Sequence, residues 1–170
     1  MSGTLSAHYA ALVAAGRIER DPAQEAAIAR LNEIEDKLST HHLANKSSSL
    51  GWMFASRKTQ APVKGLYLHG GVGRGKTMLM DLFFESSVVP RKRRVHFHEF
   101  MTEMHERVHF FRTRMKSGEG SGQDAVVLAA SAMAQDAWLL CFDEFHVTDI
   151  ADAMILGRLF AKLLESGVVV

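Results

Sequence analysis

A short glycine-rich segment carries the strongest chemical signal in the sequence. Four residues separate Gly70 from Gly75, and Lys76 and Thr77 follow directly. Glycines permit backbone angles that turn successive N–H groups inward and form a concave site for an anion. Lys76 would place its ammonium on the β- and γ-phosphates of a nucleotide, and the Thr77 hydroxyl would ligate Mg²⁺. The pattern predicts a phosphate-binding loop rather than a glycine-rich hairpin.

The elements predicted around this loop favour the same interpretation. An apolar run at residues 65–69 predicts a buried parallel strand before it, and residues 78–86 predict a helix after it. A helix N-terminus would add the positive end of its dipole to the site. We therefore predict that Mg²⁺ and ATP bind here and that Lys76 also serves catalysis. The predicted nucleotide contacts are Gly70, Gly71, Val72, Gly73, Arg74, Gly75, Lys76, Thr77 and Met78.

A second segment places two acidic residues at the end of an apolar run. Residues 138–142 predict a buried strand, and Asp143 and Glu144 follow at its carboxyl end, where α/β sheets bind ligands. Asp143 can hold Mg²⁺, and Glu144 can orient and deprotonate an attacking water molecule. Many buried strands end in acidic residues, so this motif alone is weak evidence. It indicates a nucleotide site only because a phosphate loop precedes it in the sequence. The tandem acids favour hydrolysis of ATP over transfer to a substrate hydroxyl.

The order of the remaining elements predicts an α/β fold. Further strands are predicted at residues 94–100 and 168–170, and further helices at 101–116, 124–136 and 149–165, the last capped by Asp149. Strands that alternate with helices of this length indicate βαβ units. We predict a P-loop NTPase core in residues 63–170, with a mostly parallel central sheet flanked by helices.

Residues 1–62 are predicted to form a helical N-terminal segment and a linker. Two helices are expected between residues 5 and 38, interrupted at Asp21 and Pro22, because Asp suits an N-cap and Pro the first helical position. Residues 41–63 are polar and rich in serine, which predicts a loop.

Composition excludes several classes of protein. The formal net charge is +1, so there is no strong signal for binding nucleic acid. The only cysteine is Cys141, which excludes an internal disulfide framework and suits a reducing cytoplasm. No apolar run approaches the ~20 residues of a transmembrane helix.

Three stretches of the sequence together resemble the AFG-like ATPases. They are GLYLHGGVGRGKTMLMDLFF, RVHFHEFMTEMHERVH and LLCFDEFHVTDIADAMILGRLF, with a fainter likeness around Tyr9, Gly16, Asp21 and Gln24. The resemblance implies an AAA+-type ATPase that uses ATP and Mg²⁺. Lys76, Thr77, Asp143 and Glu144 match the family pattern residue by residue. His146 stands at a variable position, and we assign it no role.

The resemblance also implies a cellular setting. Bacterial members of the family act in the cytoplasm near the division ring, peripheral to the inner membrane, and eukaryotic members in mitochondrial quality control. A protein partner at the division ring or at a protease is implied, and AAA+ relatives often form homo-oligomers. We expect a C-terminally truncated chain, because residues 168–170 look like the start of a buried strand. The sensor residue, arginine finger and lid would lie beyond Val170, so hydrolysis by this chain is expected to be inefficient.

Two other functions are compatible with parts of the sequence. His105-Glu106-x-x-His109 matches the zinc-peptidase pattern, in which two histidines on one helix face ligate Zn²⁺. The simpler interpretation is a charged surface helix. No third potential Zn²⁺ ligand follows at a spacing typical of zinc peptidases. The other alternative is an ATP-responsive binding module without efficient turnover.

Two smaller features have structural and functional interpretations. The basic run Arg91-Lys92-Arg93-Arg94 predicts a solvated loop, or a contact with an acidic partner, anionic lipid or nucleic acid. His96 and His98 alternate on the strand predicted at residues 94–100 and would share one face. Buried, hydrogen-bonded histidines are favoured there over a metal pair.

Overall fold

The computed structural model describes residues 4–47, 63–118 and 122–170. The chain divides into two compact units, Met1–Pro90 and Arg91–Val170. The domain boundary expected after residue 62 falls at the edge of an undescribed stretch and stays a prediction.

Among its described residues, the first unit contains three helices: α1 (Thr4–Ala14), α2 (Pro22–Ser47) and α3 (Lys76–Ser86). The predicted break before α2 is confirmed, because Asp21 Oδ1 accepts a hydrogen bond from the Ala23 N–H at 2.8 Å and Pro22 is the first helical residue. The helices pack against one another. Their buried apolar side chains include Leu5, Tyr9, Ile28, Leu31, Leu79 and Phe83.

Two predictions for the first unit are wrong. Residues 65–69 form no strand in the structure, and Tyr67 is 68% exposed. An apolar run becomes a strand only when a neighbouring strand pairs with its backbone, and sequence periodicity does not supply that partner. The loop predicted from residue 41 is wrong for residues 41–47, because α2 continues to Ser47. The rest of that predicted loop, residues 48–62, lies outside the described part of the chain.

The second unit has a parallel sheet with helices between its strands. Its elements are β1 (Lys92–His96), α4 (Phe97–Lys116), α5 (Ala125–Asp136), β2 (Leu139–Asp143) and α6 (Ile150–Glu165). β1 pairs with β2 in parallel, and this register places His96 opposite Asp143. Val169 adds a single parallel bridge to Leu139. The described residues thus contain two of the four predicted strands, and the last predicted strand is reduced to one bridge.

The strand predicted over residues 94–100 is wrong in its second half. β1 ends at His96, and α4 begins at Phe97. Phe97, Phe100, Met101 and Met104 are all buried, and their spacing is that of one helix face. His96 and His98 therefore do not share a strand face. His98 is exposed, whereas His96 Nδ1 is buried and has no hydrogen-bond partner among the described residues.

The core of the second unit lies where α4, α5 and α6 meet the sheet. Its fully buried side chains include Phe100, Met104, Met133, Leu140, Leu159 and Leu163. The cap predicted for α6 is confirmed, because Asp149 Oδ1 accepts a hydrogen bond from the Ala151 N–H at 2.7 Å. In the described part of the chain, none of the helices has the length and apolar character needed to cross a membrane.

Candidate nucleotide-binding site

The glycine-rich loop leads directly into the first residue of α3. Gly73 has φ 77° and Gly75 has φ 78°, values in the left-handed region that side chains other than glycine rarely adopt. Gly75 occupies the N-cap position of α3 and has no side chain to cap the helix. The first N–H groups of a helix lack intrahelical partners. This end of α3 can therefore offer backbone donors and the helix dipole to an anion.

Lys76 spans the loop with its side chain. Its Nζ donates hydrogen bonds to the carbonyl oxygens of Gly70 at 2.9 Å and Gly71 at 2.7 Å. These bonds hold the two ends of the loop together and fix the ammonium near the start of α3. Thr77 is exposed as the second residue of that helix, and its hydroxyl is the hard oxygen ligand that Mg²⁺ prefers.

A cavity of about 480 Å³ opens beside the loop, within the size range of small-molecule sites. The loop contributes Gly70, Gly71, Arg74 and Lys76 to its lining, and α2 contributes Asp21 and Gln24. The lining therefore joins backbone and cationic groups of the predicted phosphate site to the start of a helix from the N-terminal segment.

The first turn of α2 contacts the loop through Arg74. An Asp21 Oδ2 lies 3.4 Å from a guanidinium nitrogen of Arg74, and Gln24 Nε2 donates to the Arg74 carbonyl at 3.2 Å. The Asp21 N–H donates in turn to the Tyr9 hydroxyl of α1 at 3.2 Å. Sequence reasoning assigned Asp21 a capping role only and gave Gln24 no role. The contacts span about fifty residues of chain, so no local pattern could have indicated them.

Asp143 and Glu144 lie at the carboxyl end of β2, as expected. Asp143 Oδ2 is 3.3 Å from a guanidinium nitrogen of Arg94 on β1. Glu144 is exposed and has φ 55°, the only positive φ at a non-glycine residue in the described ranges. Such a backbone costs roughly 1–3 kcal/mol and persists where the surroundings impose it, often at functional sites. Both carboxylates are suitable oxygen ligands for Mg²⁺ or for a water molecule.

Aromatic rings on both sides of the two acids fix this turn. Phe142 packs against Phe100 with ring centroids 4.6 Å apart, and Phe145 packs against Phe97 at 4.4 Å. The two rings anchor the residues immediately before and after the acidic pair. This anchoring explains how the chain sustains the left-handed backbone at Glu144.

The zinc-peptidase pattern at residues 105–109 does not form a metal site among the described residues. His105 Nε2 lies 2.6 Å from Asp152 Oδ1, so the first histidine of the pattern pairs with a carboxylate on α6. Over residues 4–47, 63–118 and 122–170, no three His, Cys, Asp or Glu side chains are grouped to hold a metal ion.

The prediction of a solvated loop at residues 91–94 is wrong for three of its four residues, because Lys92–His96 form β1. Arg93 pairs with Glu103 at 2.8 Å, and Arg94 pairs with Asp143. Arg91 donates to the Gln135 carbonyl at 2.8 Å and lies over the Trp138 ring. These contacts favour a structural role for the run over a surface reserved for an acidic partner.

A comparison with known protein families identifies the class of protein to which the chain belongs. The sequence model of the AFG1-like ATPase family matches residues 3–170, and the chain belongs to that family. This confirms the resemblance seen in the sequence. It supports an ATPase at the level of the family.

Individual relatives cover nearly the whole chain. The chain is 35% identical over 207 residues to lactation elevated protein 1 homolog B of Danio rerio. That alignment covers 99% of this chain and 41% of the relative. It is also 38% identical over 175 residues to cell division protein ZapE of Escherichia coli K12. That alignment covers 98% of this chain and 44% of ZapE. The chain thus spans less than half the length of these curated relatives. No solved structure matches it significantly.

Proposed function

We propose that this chain binds Mg-ATP on residues 70–77 and hydrolyses it slowly. The observation that carries the proposal is Lys76, whose ammonium spans a glycine loop at the N-terminus of α3. The loop lines a cavity of about 480 Å³, and the chain belongs to a family of ATPases. Backbone donors, a fixed cation and a helix N-terminus are the groups that stabilise a polyphosphate.

Within this function, each polar residue has a distinct role. Lys76 contacts the β- and γ-phosphates, whose charge it offsets during transfer. Thr77 and Asp143 are each proposed as a ligand of Mg²⁺, which would screen the phosphate oxygens when bound. Glu144 orients the attacking water and accepts its proton. The constrained backbone at Glu144 supports this role, because a general base acts only from a defined position.

Turnover in a Glu144→Gln variant tests the hydrolytic part of the proposal. We expect ATP binding to persist while phosphate release falls by ~10²–10⁴, the usual effect of removing a general base. Glu106→Gln is the matched control, since Glu106 is an exposed carboxylate on α4 in the same unit. Equal turnover in the wild type and Glu144→Gln would refute the role. A wild type that binds ATP with no measurable turnover would instead support the ATP-responsive binding module.

The name of one relative supports a proposal for the cellular role. One of them is named a cell division protein. We propose that this chain acts in the cytoplasm on a protein partner in cell division, or in protein quality control in a mitochondrial setting. Co-purification from cells with a Glu144→Gln variant would identify that partner. Recovery of no division or protease component would count against this role.

A further inference from the structure

Asp143 has a different partner at each of its carboxylate oxygens. Oδ1 accepts a hydrogen bond at 3.1 Å from the backbone N–H of Glu144, the residue whose φ is 55°. Oδ2 lies 3.3 Å from a guanidinium nitrogen of Arg94. The first contact is local and supports the left-handed turn, whereas the second joins two strands. The two oxygens of Asp143 therefore have separate roles.

The pairing of the two strands places Arg94 beside Asp143. The parallel register sets Arg94 on β1 opposite Cys141, two residues before Asp143 on β2. Side chains two residues apart on a strand lie on the same face of the sheet. The Arg94 guanidinium thus reaches along this face to the end of β2. Water only partly screens the contact, because the side chains of Arg94 and Asp143 are 31% and 18% exposed.

Arg94 and a metal ion would compete for the same oxygen. Because Oδ1 of Asp143 holds the turn at Glu144, Oδ2 is the better-placed oxygen for a cation, and Arg94 already lies against it. A guanidinium and Mg²⁺ are both positive, so they repel each other at close range. An ion pair at this degree of exposure is weak, so a divalent cation can displace the arginine.

We propose that Arg94 is a positioning residue that holds Asp143 in the metal-free protein and sets the concentration of Mg²⁺ that nucleotide binding needs. Its guanidinium keeps the carboxylate in place at the end of β2 and leaves Oδ2 when Mg²⁺ binds. Oδ1 keeps its bond to the Glu144 N–H throughout, so the backbone that places the general base is not disturbed. The inference rests on the proposed function, because Asp143 must be a ligand of the Mg²⁺ that binds with the nucleotide.

The test measures how much Mg²⁺ is needed for a fluorescent ATP analogue to bind. Each protein is titrated with the analogue at a series of Mg²⁺ concentrations, and the readout is the concentration that gives half of the increase in affinity. Arg94→Gln removes the competing charge, and Arg94→Lys keeps it. Lys116→Gln is the matched control, because it removes one positive charge from an exposed position on α4 of the same unit. Asp143→Asn, alone and with Arg94→Gln, completes a double-mutant cycle.

We expect Arg94→Gln to need roughly 2–5-fold less Mg²⁺ than wild type, the range for a partly exposed ion pair. Arg94→Lys and Lys116→Gln should stay close to wild type, because both keep a positive charge beside Asp143. Asp143→Asn should need more Mg²⁺ than wild type, and adding Arg94→Gln to it should change the requirement no further.

An unchanged or higher Mg²⁺ requirement in Arg94→Gln would overturn the inference, because an arginine that only stabilises the turn would weaken the metal site when it is removed. The same reduction in the Asp143→Asn background would also contradict it, since Arg94 would then act through another group. Loss of folding in Arg94→Gln, measured by urea unfolding, would count against it too, because the proposed role leaves the fold intact. A wild type that binds no nucleotide, or binds it independently of Mg²⁺, would instead refute the proposed function itself.

Discussion

The guanidinium of Arg93 on β1 lies 2.8 Å from the carboxylate of Glu103 on α4. The hydrogen bond from Arg93 holds the pKa of Glu103 below its ordinary value of 4.5, and Arg107 lowers it further. The same bond raises the pKa of Arg93, so the two shifts agree in direction. Both side chains are partly buried, and they join the strand to the helix that follows it.

This pair predicts how stability depends on acid. A carboxylate with a lowered folded-state pKa stabilises the fold above its unfolded pKa, and the contribution is lost as pH falls through the folded pKa. Glu103→Gln should therefore lower the free energy of unfolding by about 1–2 kcal/mol at pH 7. The difference from wild type should shrink steadily below pH 4.5, the ordinary value for this carboxyl. Urea unfolding across this pH range measures it.

Glu165→Gln serves as the control for the pH experiment. Glu165 pairs with Lys162 at 3.7 Å, but its side chain is 70% exposed, so water and salt screen the interaction. This variant should unfold like the wild type at every pH. A constant difference between Glu103→Gln and wild type from neutral to acid pH would contradict the assigned cause.

Gly75→Ala tests whether the loop geometry is required for binding. A Cβ at φ 78° is expected to cost about 1–2 kcal/mol, and here it would also displace Gln24 Nε2 from the Arg74 carbonyl. ATP affinity should therefore fall with a modest loss of stability. Gly118→Ala is the matched control, because Gly118 has φ 81° and no heavy atom of a described residue lies within 4 Å of an added Cβ. The control should lose similar stability and keep its ATP affinity; wild-type affinity in Gly75→Ala would be inconsistent with the site.

Metal content distinguishes the two enzyme classes. We expect no stoichiometric zinc in the purified protein, because His105 is paired with Asp152. Atomic absorption of wild type and His105→Ala, after dialysis without chelator, measures this directly. One bound zinc per wild-type chain, lost in His105→Ala, would favour the peptidase instead.

Local sequence signals predicted several helix ends correctly. Asp149 caps α6 and Asp21 caps α2, as predicted, because a capping carboxylate acts within a few residues. The start of α4 was missed for the opposite reason. Polar and apolar side chains alternate at His96, Phe97 and His98, as they do in a strand. Phe97 instead begins α4, because its side chain is buried in a core formed by residues distant in the sequence.

Some features of the candidate site were likewise predictable from local sequence, and others were not. The position of the glycine loop before α3 and of the two acids at the end of β2 was predictable, because each lies within a short stretch of chain. The contact of Gln24 with Arg74 was not, since it joins residues fifty positions apart. The left-handed backbone of Glu144 was also unexpected, because glutamate rarely adopts it without support such as the phenylalanine rings on either side.

Titration of the chain with a fluorescent ATP analogue in Mg²⁺, in wild type and Lys76→Ala, tests the central claim most directly. Lys64→Ala is the control, since Lys64 is an exposed lysine of the same unit outside the loop. We expect wild type and Lys64→Ala to bind alike. Lys76→Ala should lose at least about tenfold in affinity, because a charge-assisted contact to phosphate and both bonds that close the loop disappear. Equal affinity in Lys76→Ala and wild type would contradict the assignment of residues 70–77 as the phosphate site.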